Sequence, residues 1–234
     1  MLKTLLLQFW WLILLVAGVG LIKIFKPFLK GKAGELAVSA HVKLYLDEHY
    51  ILLNDVTLPD ESTGTTQIDH ILLSPFGIFV IETKNYKGWI FGGERQKVWT
   101  QKIYKKTYKF QNPVYQNYKH IKVLESVLSD IIEPEYLHSV IVFMPDCEFK
   151  TSLPNNVFKG SAWVEYVKGF RHEVISPMKL KRIQLRIEKE LLDIVDQVKP
   201  SLKYFCLLMT LPLDFTFTPG VLSIKSHKVL PSFS

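Results

Sequence analysis

The fold is decided by residues 66–84, TQIDHILLSPFGIFVIETK. Two runs rich in apolar and β-branched residues flank the short turn signal SPFG, which predicts a β-hairpin. A symmetric turn places Asp69 opposite Glu82, and the same register places Gln67 opposite Lys84. Side chains directly opposite on an antiparallel pair share a face, so these four polar residues form one cluster. A bulge at the turn would shift the register by one residue and separate them.

The polar cluster lies at one end of an apolar surface. The same strand face continues toward the turn with Ile71, Leu73, Ile78 and Val80. Side chains directly opposite each other have Cβ atoms roughly 4.5–5.5 Å apart. Two carboxylates this close repel each other, and the pKa of one rises unless a cation lies between them. Mg²⁺ commonly binds one or two carboxylates and keeps several waters. Asp69 and Glu82 therefore predict a Mg²⁺ site, with Mn²⁺ as the alternative ion.

Lys84 leans over the same face, two residues after Glu82. In a metal site its ammonium group would hold or deprotonate a metal-bound water, or stabilise charge on a phosphate. The alternative is a surface ion cluster, in which Lys84 only offsets two acids.

Composition narrows the class of partner. The 234 residues carry a formal net charge of +7, which favours anionic partners such as nucleic acid or an anionic membrane surface. The two cysteines, Cys147 and Cys206, are far apart and form no CxxC pair. Neither a zinc site nor a disulfide framework is therefore predicted.

The N-terminal stretch from Leu5 to Ile22 is an almost unbroken apolar run, interrupted only by Gln8. This length is at the short end for a transmembrane helix. Lysines are concentrated on its C-terminal side, so the positive-inside rule predicts a single-pass protein of the cell membrane with its N-terminus outside and the following domain in the cytoplasm. A cleaved signal peptide is the alternative, but no A-x-A-like site precedes the lysines.

These boundaries predict four segments. Residues 1–25 form the transmembrane helix, and residues 26–33 form a basic juxtamembrane linker. Residues 34–199 form the folded domain, which begins with a helical pattern at Gly34-Glu35 and ends with a long helix before Pro200. Residues 200–234 form a C-terminal tail of unknown structure.

A strongly basic segment follows the hairpin. Its cations are Arg95, Lys97, Lys102, Lys105, Lys106 and Lys109, and Trp99, Tyr104, Tyr108 and Phe110 are interleaved with them. Cations that contact phosphates and aromatics that stack on bases are typical of nucleic-acid binding. The alternative is a solvated strand pair with one charged face.

A second helix is predicted from Asn112-Pro113, because Asn is a good N-cap and Pro a good first helical residue. Gln116 and His120 are four residues apart on it, so they share a helix face. Taken alone, this polar pair is also consistent with a packing detail.

Five blocks of the sequence, in this order, resemble the nuclease-related domain (NERD) family. They are Gly31-x-x-Gly34-Glu35, residues 66–70 (TQIDH), residues 77–88 (GIFVIETKNYKG), Trp99 and residues 112–120 (NPVYQNYKH). The resemblance implies an α/β (α+β) domain of the restriction-endonuclease-like PD-(D/E)xK fold, with a mixed central sheet flanked by helices. Here that domain would be preceded by one transmembrane helix.

The resemblance also implies roles for individual residues. Asp69, Glu82 and Lys84 match the D…ExK catalytic core, and Glu35 matches an acid of the first helix that adds to the metal shell. Gln116 matches a catalytic residue on the helix after the core strands. We expect Gln67 and His120 to contact nucleic acid together with the six cations of residues 95–109. Some relatives carry a C-terminal zinc ribbon, for which this chain has no cysteine pairs.

The resulting hypothesis is a membrane-anchored, Mg²⁺-dependent nuclease that hydrolyses phosphodiester bonds, with DNA favoured over RNA as the substrate. The alternative is a non-catalytic, membrane-tethered nucleic-acid-binding or interaction module on a nuclease-like scaffold. A lipid sensor built on the lysines between residues 23 and 32 is a further alternative. The choice between DNA and RNA, sequence preference, exo or endo cutting, the activity of the site and the oligomeric state stay open at this point.

Overall fold

The computed structural model describes residues 2–210, and side chains are described from residue 10 to residue 194 except at positions 13, 23, 24 and 27. The helices are α1 (Leu2–Tyr45), α2 (Pro113–Leu128), α3 (Ala162–Lys168) and α4 (Pro177–Thr210). The strands are β1 (Ile51–Asp60), β2 (Gly64–Ser74), β3 (Gly77–Lys84), β4 (Gly88–Phe91), β5 (Val98–Ile103), β6 (Lys106–Gln111), β7 (Leu137–Phe143), β8 (Cys147–Phe149) and β9 (Val157–Lys159).

Two mixed sheets form the framework of the described chain. The larger sheet has the order β1-β2-β3-β7-β9, with antiparallel pairing from β1 to β3 and parallel pairing of β7 with β3 and β9. The smaller sheet has the order β6-β5-β4-β8. The predicted mixed α/β class is confirmed, although the sequence pattern did not predict that the strands divide into two sheets.

The β2–β3 hairpin has the predicted register. Ser74 pairs with Gly77 and Leu72 with Phe79, and the pairing continues to His70 opposite Ile81. The Ser74 hydroxyl donates a hydrogen bond to the Gly77 carbonyl at 2.8 Å, which closes the turn without a bulge. The polar ends of the two strands are therefore aligned.

The larger sheet is covered on both faces. Ile71, Leu73, Ile78 and Val80 pack in one cluster with side chains of α2 and α4, including Leu124 and Ile183. The opposite face packs Leu72, Phe79 and Ile81 against Val38 of α1 and Trp163 of α3. The alternation of side chains along a strand thus buries both faces, and the acidic end of the hairpin lies on the face covered by α2.

Helix α1 is continuous through the segment that the sequence predicts as a linker. Its bounds are Leu2–Tyr45, and residues 26–33 are helical despite Pro27 and Gly31. A helix rises about 1.5 Å per residue, so residues 23–33 span about 16 Å instead of the roughly 36 Å of an extended chain. Val38 and Val42 pack on the sheet, and such tertiary packing provides most of the stability of a helix in a protein.

Large apolar side chains are exposed along α1 between residues 10 and 29, among them Trp10, Leu15, Ile22 and Leu29. Within the residues that the structure describes, no helix has the combination of length and apolarity that crossing a membrane requires. The predicted span begins at Leu5, and the side chains of residues 2–9 and 13 lie outside the described set.

The chain divides into two compact units, residues 1–195 and residues 196–234. The described backbone of α4 continues to Thr210, so the prediction that this helix ends before Pro200 is wrong. A proline removes one helical hydrogen bond and favours a kink, and neither effect has to end a helix. The predicted tail lies outside the described residues from 211 onward.

Candidate active site

The end of the β2–β3 hairpin brings Asp69 beside the last residues of β3. Asp69 immediately precedes His70, the residue of β2 that pairs with β3 farthest from the turn, and its Oδ2 accepts a hydrogen bond from the backbone N–H of Thr83 at 2.8 Å. This bond continues the contact between the two strands beyond the His70–Ile81 pair. Asp69 and Glu82 therefore occupy neighbouring positions on one face, as the symmetric turn predicts.

Glu82 is 2% exposed and is held from its own strand by Lys84. The Lys84 Nζ lies 2.5 Å from Glu82 Oε1 and donates a second hydrogen bond to Gln116 Oε1 at 2.9 Å. A hydrogen-bonded network thus runs from β3 to α2 through Glu82, Lys84 and Gln116. The structure brings these three predicted residues together.

His120 contacts the other oxygen of the same carboxylate. Its Nε2 lies 3.3 Å from Glu82 Oε2 without meeting hydrogen-bond geometry, and neither atom has a hydrogen-bond partner among the described residues. Its Nδ1 lies 3.1 Å from the Thr66 hydroxyl. The sequence predicts His120 at the nucleic acid, whereas the structure places it, 5% exposed, against Glu82.

Helix α2 is fixed in place by two asparagines. Asn112 caps it by accepting a hydrogen bond from Val114 N at 2.9 Å, so the predicted helix start is confirmed. Asn117 is fully buried, and its Nδ2 donates to the Val80 carbonyl at 2.9 Å and to Ser139 Oγ at 2.8 Å. These bonds tie α2 to β3 and β7, which sets the height of Gln116 and His120 over the sheet.

The two carboxylates have pKa values shifted in opposite directions. Burial, and then the charge of Glu82, raise the pKa of Asp69 to about 7. Burial also raises the pKa of Glu82, but the contacts with His120 and Lys84 outweigh it and leave that pKa below its usual range. At neutral pH, Glu82 is ionised while Asp69 is close to its midpoint, which is the separation expected when two acids share one site.

The site lies within a segment that matches a known family. Residues 30–144 match the sequence profile of the nuclease-related domain family, NERD. These residues form a nuclease-related domain. The general fold of this family is restriction-endonuclease-like. The matched segment includes Glu35, Asp69, Glu82, Lys84 and Gln116.

A relative of the nuclease-related domain is an uncharacterized protein of Bacillus anthracis. It is 44% identical over 124 residues, which are 53% of this chain and 57% of the relative. The chain therefore spans a little over half the length of that protein. No solved structure matches the chain significantly.

Glu35 of the nuclease-related domain is close enough to Asp69 to affect its pKa, but it is held by another partner. Its Oε2 is 2.7 Å from Lys32 Nζ, which also lies 2.5 Å from Asp55 Oδ1. Gln67 Nε2 donates to the same Asp55 oxygen at 3.0 Å. The charge of Glu35 still contributes to the raised pKa of Asp69. Glu35 and Gln67 thus border the site through a Lys32–Asp55 pair.

The donor set of the domain suits a metal with few protein ligands. Among the described residues, no group of three His, Cys, Asp or Glu side chains is arranged to hold a metal ion. Asp69 and Glu82 are two acidic neighbours, and the buried Oε2 of Glu82 lacks a hydrogen bond within the described chain. This arrangement fits Mg²⁺, which commonly binds one or two carboxylates and retains several waters.

The basic segment of the domain forms the β5–β6 hairpin and the loop before it. All six predicted cations are exposed: Arg95, Lys97, Lys102, Lys105, Lys106 and Lys109. The interleaved aromatics divide into two groups. Trp99 and Phe110 pack into the core beneath the smaller sheet, whereas Tyr104 is 94% exposed and Tyr108 is also exposed. Only two of the four aromatics are therefore accessible to a ligand.

Three residues that position the site carry no predicted role in the sequence. Asn117 lies seven residues before Leu124, and this helical spacing could have indicated that both face the sheet. Lys32 and Asp55 meet only through the folding of α1 against β1. Asp55 has a positive φ of 53°, which Asp tolerates better than most residues, but no sequence pattern marks it.

Proposed function

We propose that this nuclease-related domain is a Mg²⁺-dependent nuclease that hydrolyses phosphodiester bonds of DNA. The observation that carries the proposal is the placement of Asp69 beside Glu82, with Lys84 bound to Glu82 and Gln116 bound to Lys84. Four residues of a nuclease motif thus converge from two strands and one helix. Mn²⁺ is the alternative ion.

Asp69 and Glu82 would hold the metal. Glu82 is suited to this role because its lowered pKa keeps it ionised at neutral pH. Bound Mg²⁺ supplies Lewis acidity and a more acidic water at such a site. Glu35, which is held by Lys32 2.7 Å away, would join only if that pair separates.

Lys84 would stabilise the negative charge that develops on the phosphate, since preorganised cations contribute most where charge appears in the transition state. Gln116 supports this role because its Oε1 accepts a hydrogen bond from Lys84 Nζ at 2.9 Å. The amide therefore orients the ammonium group without neutralising it. His120 positions Glu82 from the opposite side, with Nε2 3.3 Å from Oε2.

Nucleic acid as the substrate is supported by the exposed cations of the β5–β6 hairpin and by the net charge of +7. Attachment to the cytoplasmic face of a membrane is part of the proposal. It is supported by the apolar sequence from Leu5 to Ile22, the lysines that follow it and the exposed apolar side chains of α1. Because α1 is continuous, the domain would act close to that surface.

The decisive experiment compares the full chain with Glu82→Gln in a nuclease assay. Substrates are single-stranded DNA, duplex DNA and single-stranded RNA, each in Mg²⁺, Mn²⁺ and EDTA. We expect metal-dependent cleavage of DNA by the wild type and none by Glu82→Gln, while the exposed Glu48→Gln serves as a matched control. Equal cleavage by wild type and Glu82→Gln would refute the assigned site.

A second candidate function is a non-catalytic nucleic-acid-binding module. It is supported by the short Lys84–Glu82 pair, which neutralises one acid of the motif. Tight DNA binding by the wild type without cleavage in either metal would favour this candidate.

A further inference from the structure

The smaller sheet has one buried face and one open face. Ile90 and Trp99 point inward and pack in the core with Phe143. The alternate residues Trp89 and Lys102 are exposed and lie directly opposite each other on β4 and β5. The outward side chains of β6 and β8 continue this open face across all four strands.

Trp89 is the large aromatic at the centre of the open face, and it is 45% exposed. Two cations lie near its ring, with Lys102 Nζ 5.9 Å and Lys150 Nζ 4.8 Å from the ring centroid. On the outer strand, Lys109 is opposite Thr100 and exposed. Two cations therefore flank the Trp89 ring, and a third, Lys109, lies on the same face of the sheet two strands away.

A groove of about 340 Å³ opens beside Trp89. It is lined by Lys87, Gly88, Trp89, Lys102, Ile103 and Tyr104. Tyr104, at the β5–β6 turn, is almost completely exposed and provides a second aromatic side chain at its edge. The groove thus combines aromatic surface with positive charge, which is the composition that stacks bases and binds the phosphates between them.

We propose that this open face binds single-stranded nucleic acid, with Trp89 stacking on one base and Lys102, Lys109 and Lys150 contacting phosphates. A four-stranded sheet that presents exposed aromatics is a known solution for binding unpaired bases. Duplex bases are stacked on each other, so their faces are not available to Trp89. The proposal rests on the proposed nuclease function, for which it specifies a single strand as the substrate.

One acid lies on the same face. Glu148 is opposite Trp89 on β8, and its Oε1 is 2.5 Å from Lys150 Nζ. This pair holds Lys150 beside the ring, and it is broadly exposed, so phosphate can compete with the carboxylate for the ammonium group. Glu148→Gln should therefore tighten binding of a single strand.

The test measures binding of fluorescein-labelled oligo(dT) to the full chain by fluorescence anisotropy in EDTA, where metal-dependent cleavage cannot contribute. We expect Trp89→Ala to weaken binding about tenfold, and Trp89→Phe to retain most of the affinity because it can still stack. Tyr118→Ala is the matched control. Tyr118 is also exposed and has a lysine, Lys122, 5.8 Å from its ring, but it lies on α2.

Loss of affinity in Trp89→Ala alone, together with tighter binding of oligo(dT) than of the corresponding duplex, supports the proposal. Unchanged binding by Trp89→Ala would overturn it, as would equal losses in Trp89→Ala and Tyr118→Ala or a preference for the duplex. Because no metal is present, the result is independent of catalysis. Trp89-dependent binding by a chain that never cleaves would refute the nuclease function and leave this site standing.

Discussion

The Nε2 of His120 faces the Oε2 of Glu82 at 3.3 Å, and both side chains are almost completely buried. The other oxygen of Glu82 is bound by Lys84 from the same strand. One carboxylate is thus contacted from β3 on one side and from α2 on the other. The ionisation of Glu82 therefore depends on the position of α2 as well as on its own strand.

Replacing His120 with Gln should weaken cleavage and shift its pH dependence. The contact with His120 lowers the pKa of Glu82, so its loss lets burial raise that pKa. The acidic limb of the pH–rate profile then moves to higher pH. We expect activity to fall about 10- to 100-fold, as for other residues that orient metal ligands. His49→Gln, at an exposed site, is the control, and an unshifted profile in His120→Gln would contradict the assignment.

Replacing Gln116 with Ala should reduce kcat without changing the affinity for Mg²⁺. The variant removes one of the two acceptors of Lys84 and leaves both carboxylates in place. A less well oriented ammonium group should cost about tenfold in rate. Steady-state kinetics over a Mg²⁺ titration separates the two parameters, with Tyr115→Ala as an exposed control on the same helix. A parallel loss of Mg²⁺ affinity would show that Gln116 acts on the metal ligands instead.

The hairpin register could be predicted because it depends on local features alone. Ser74 to Gly77 is too short for more than a tight turn, and the length of this turn fixes the alignment of the two strands. The start of α2 at Asn112-Pro113 is likewise set by two neighbouring residues. From these two elements follow the positions of Asp69, Glu82 and Gln116.

The remaining contacts of the site depend on tertiary packing and could not be predicted in the same way. Lys32 reaches Asp55 only because α1 crosses the sheet, and no spacing in the sequence relates the two. The prediction of nucleic-acid binding for the basic segment rests on which residue types it contains. That prediction does not assign Trp99 to either face of a strand. The strand alternation of the segment in fact separates Trp99 from Lys102 onto opposite faces.

Replacing Gly34 with Val should destabilise the domain, whereas the same change at Gly31 should not. A Cβ at Gly34 would lie 3.1 Å from Asn85 Cβ and 3.2 Å from Thr83 Cγ2, while a Cβ at Gly31 meets nothing within 4 Å. Overpacking of this kind costs about 1–3 kcal/mol, and Val has a slightly better helix propensity than Gly at an open position. Urea unfolding of both variants gives the comparison. Equal stabilities would mean that α1 does not pack closely against the end of β3.

Replacing Asp69 with Asn should flatten the pH dependence of stability. Burial, and then Glu82, raise the pKa of Asp69 to about 7 in the folded chain, above the value of about 3.9 expected when it is unfolded. The folded state therefore binds this proton more tightly, and its contribution to stability is lost as pH rises from about 4 to 7. The full loss is at most about 4 kcal/mol. Asn does not titrate, so the variant should be the more stable protein above pH 7.

Urea unfolding in EDTA between pH 4 and pH 8 measures this effect, with the exposed Asp146→Asn as the control. The Asn oxygen can still accept the hydrogen bond from Thr83 N, so the hairpin is retained. Mg²⁺ should then raise the Tm of the wild type at neutral pH, because a ligand that binds only the folded state stabilises it. Asp69→Asn should lose most of that increase, since one of the two acids is gone. A Mg²⁺-induced shift in Tm of equal size in both proteins would show that the ion binds elsewhere. In the urea experiment, a constant difference in stability between the two proteins across the pH range would show that Asp69 does not titrate between pH 4 and pH 8.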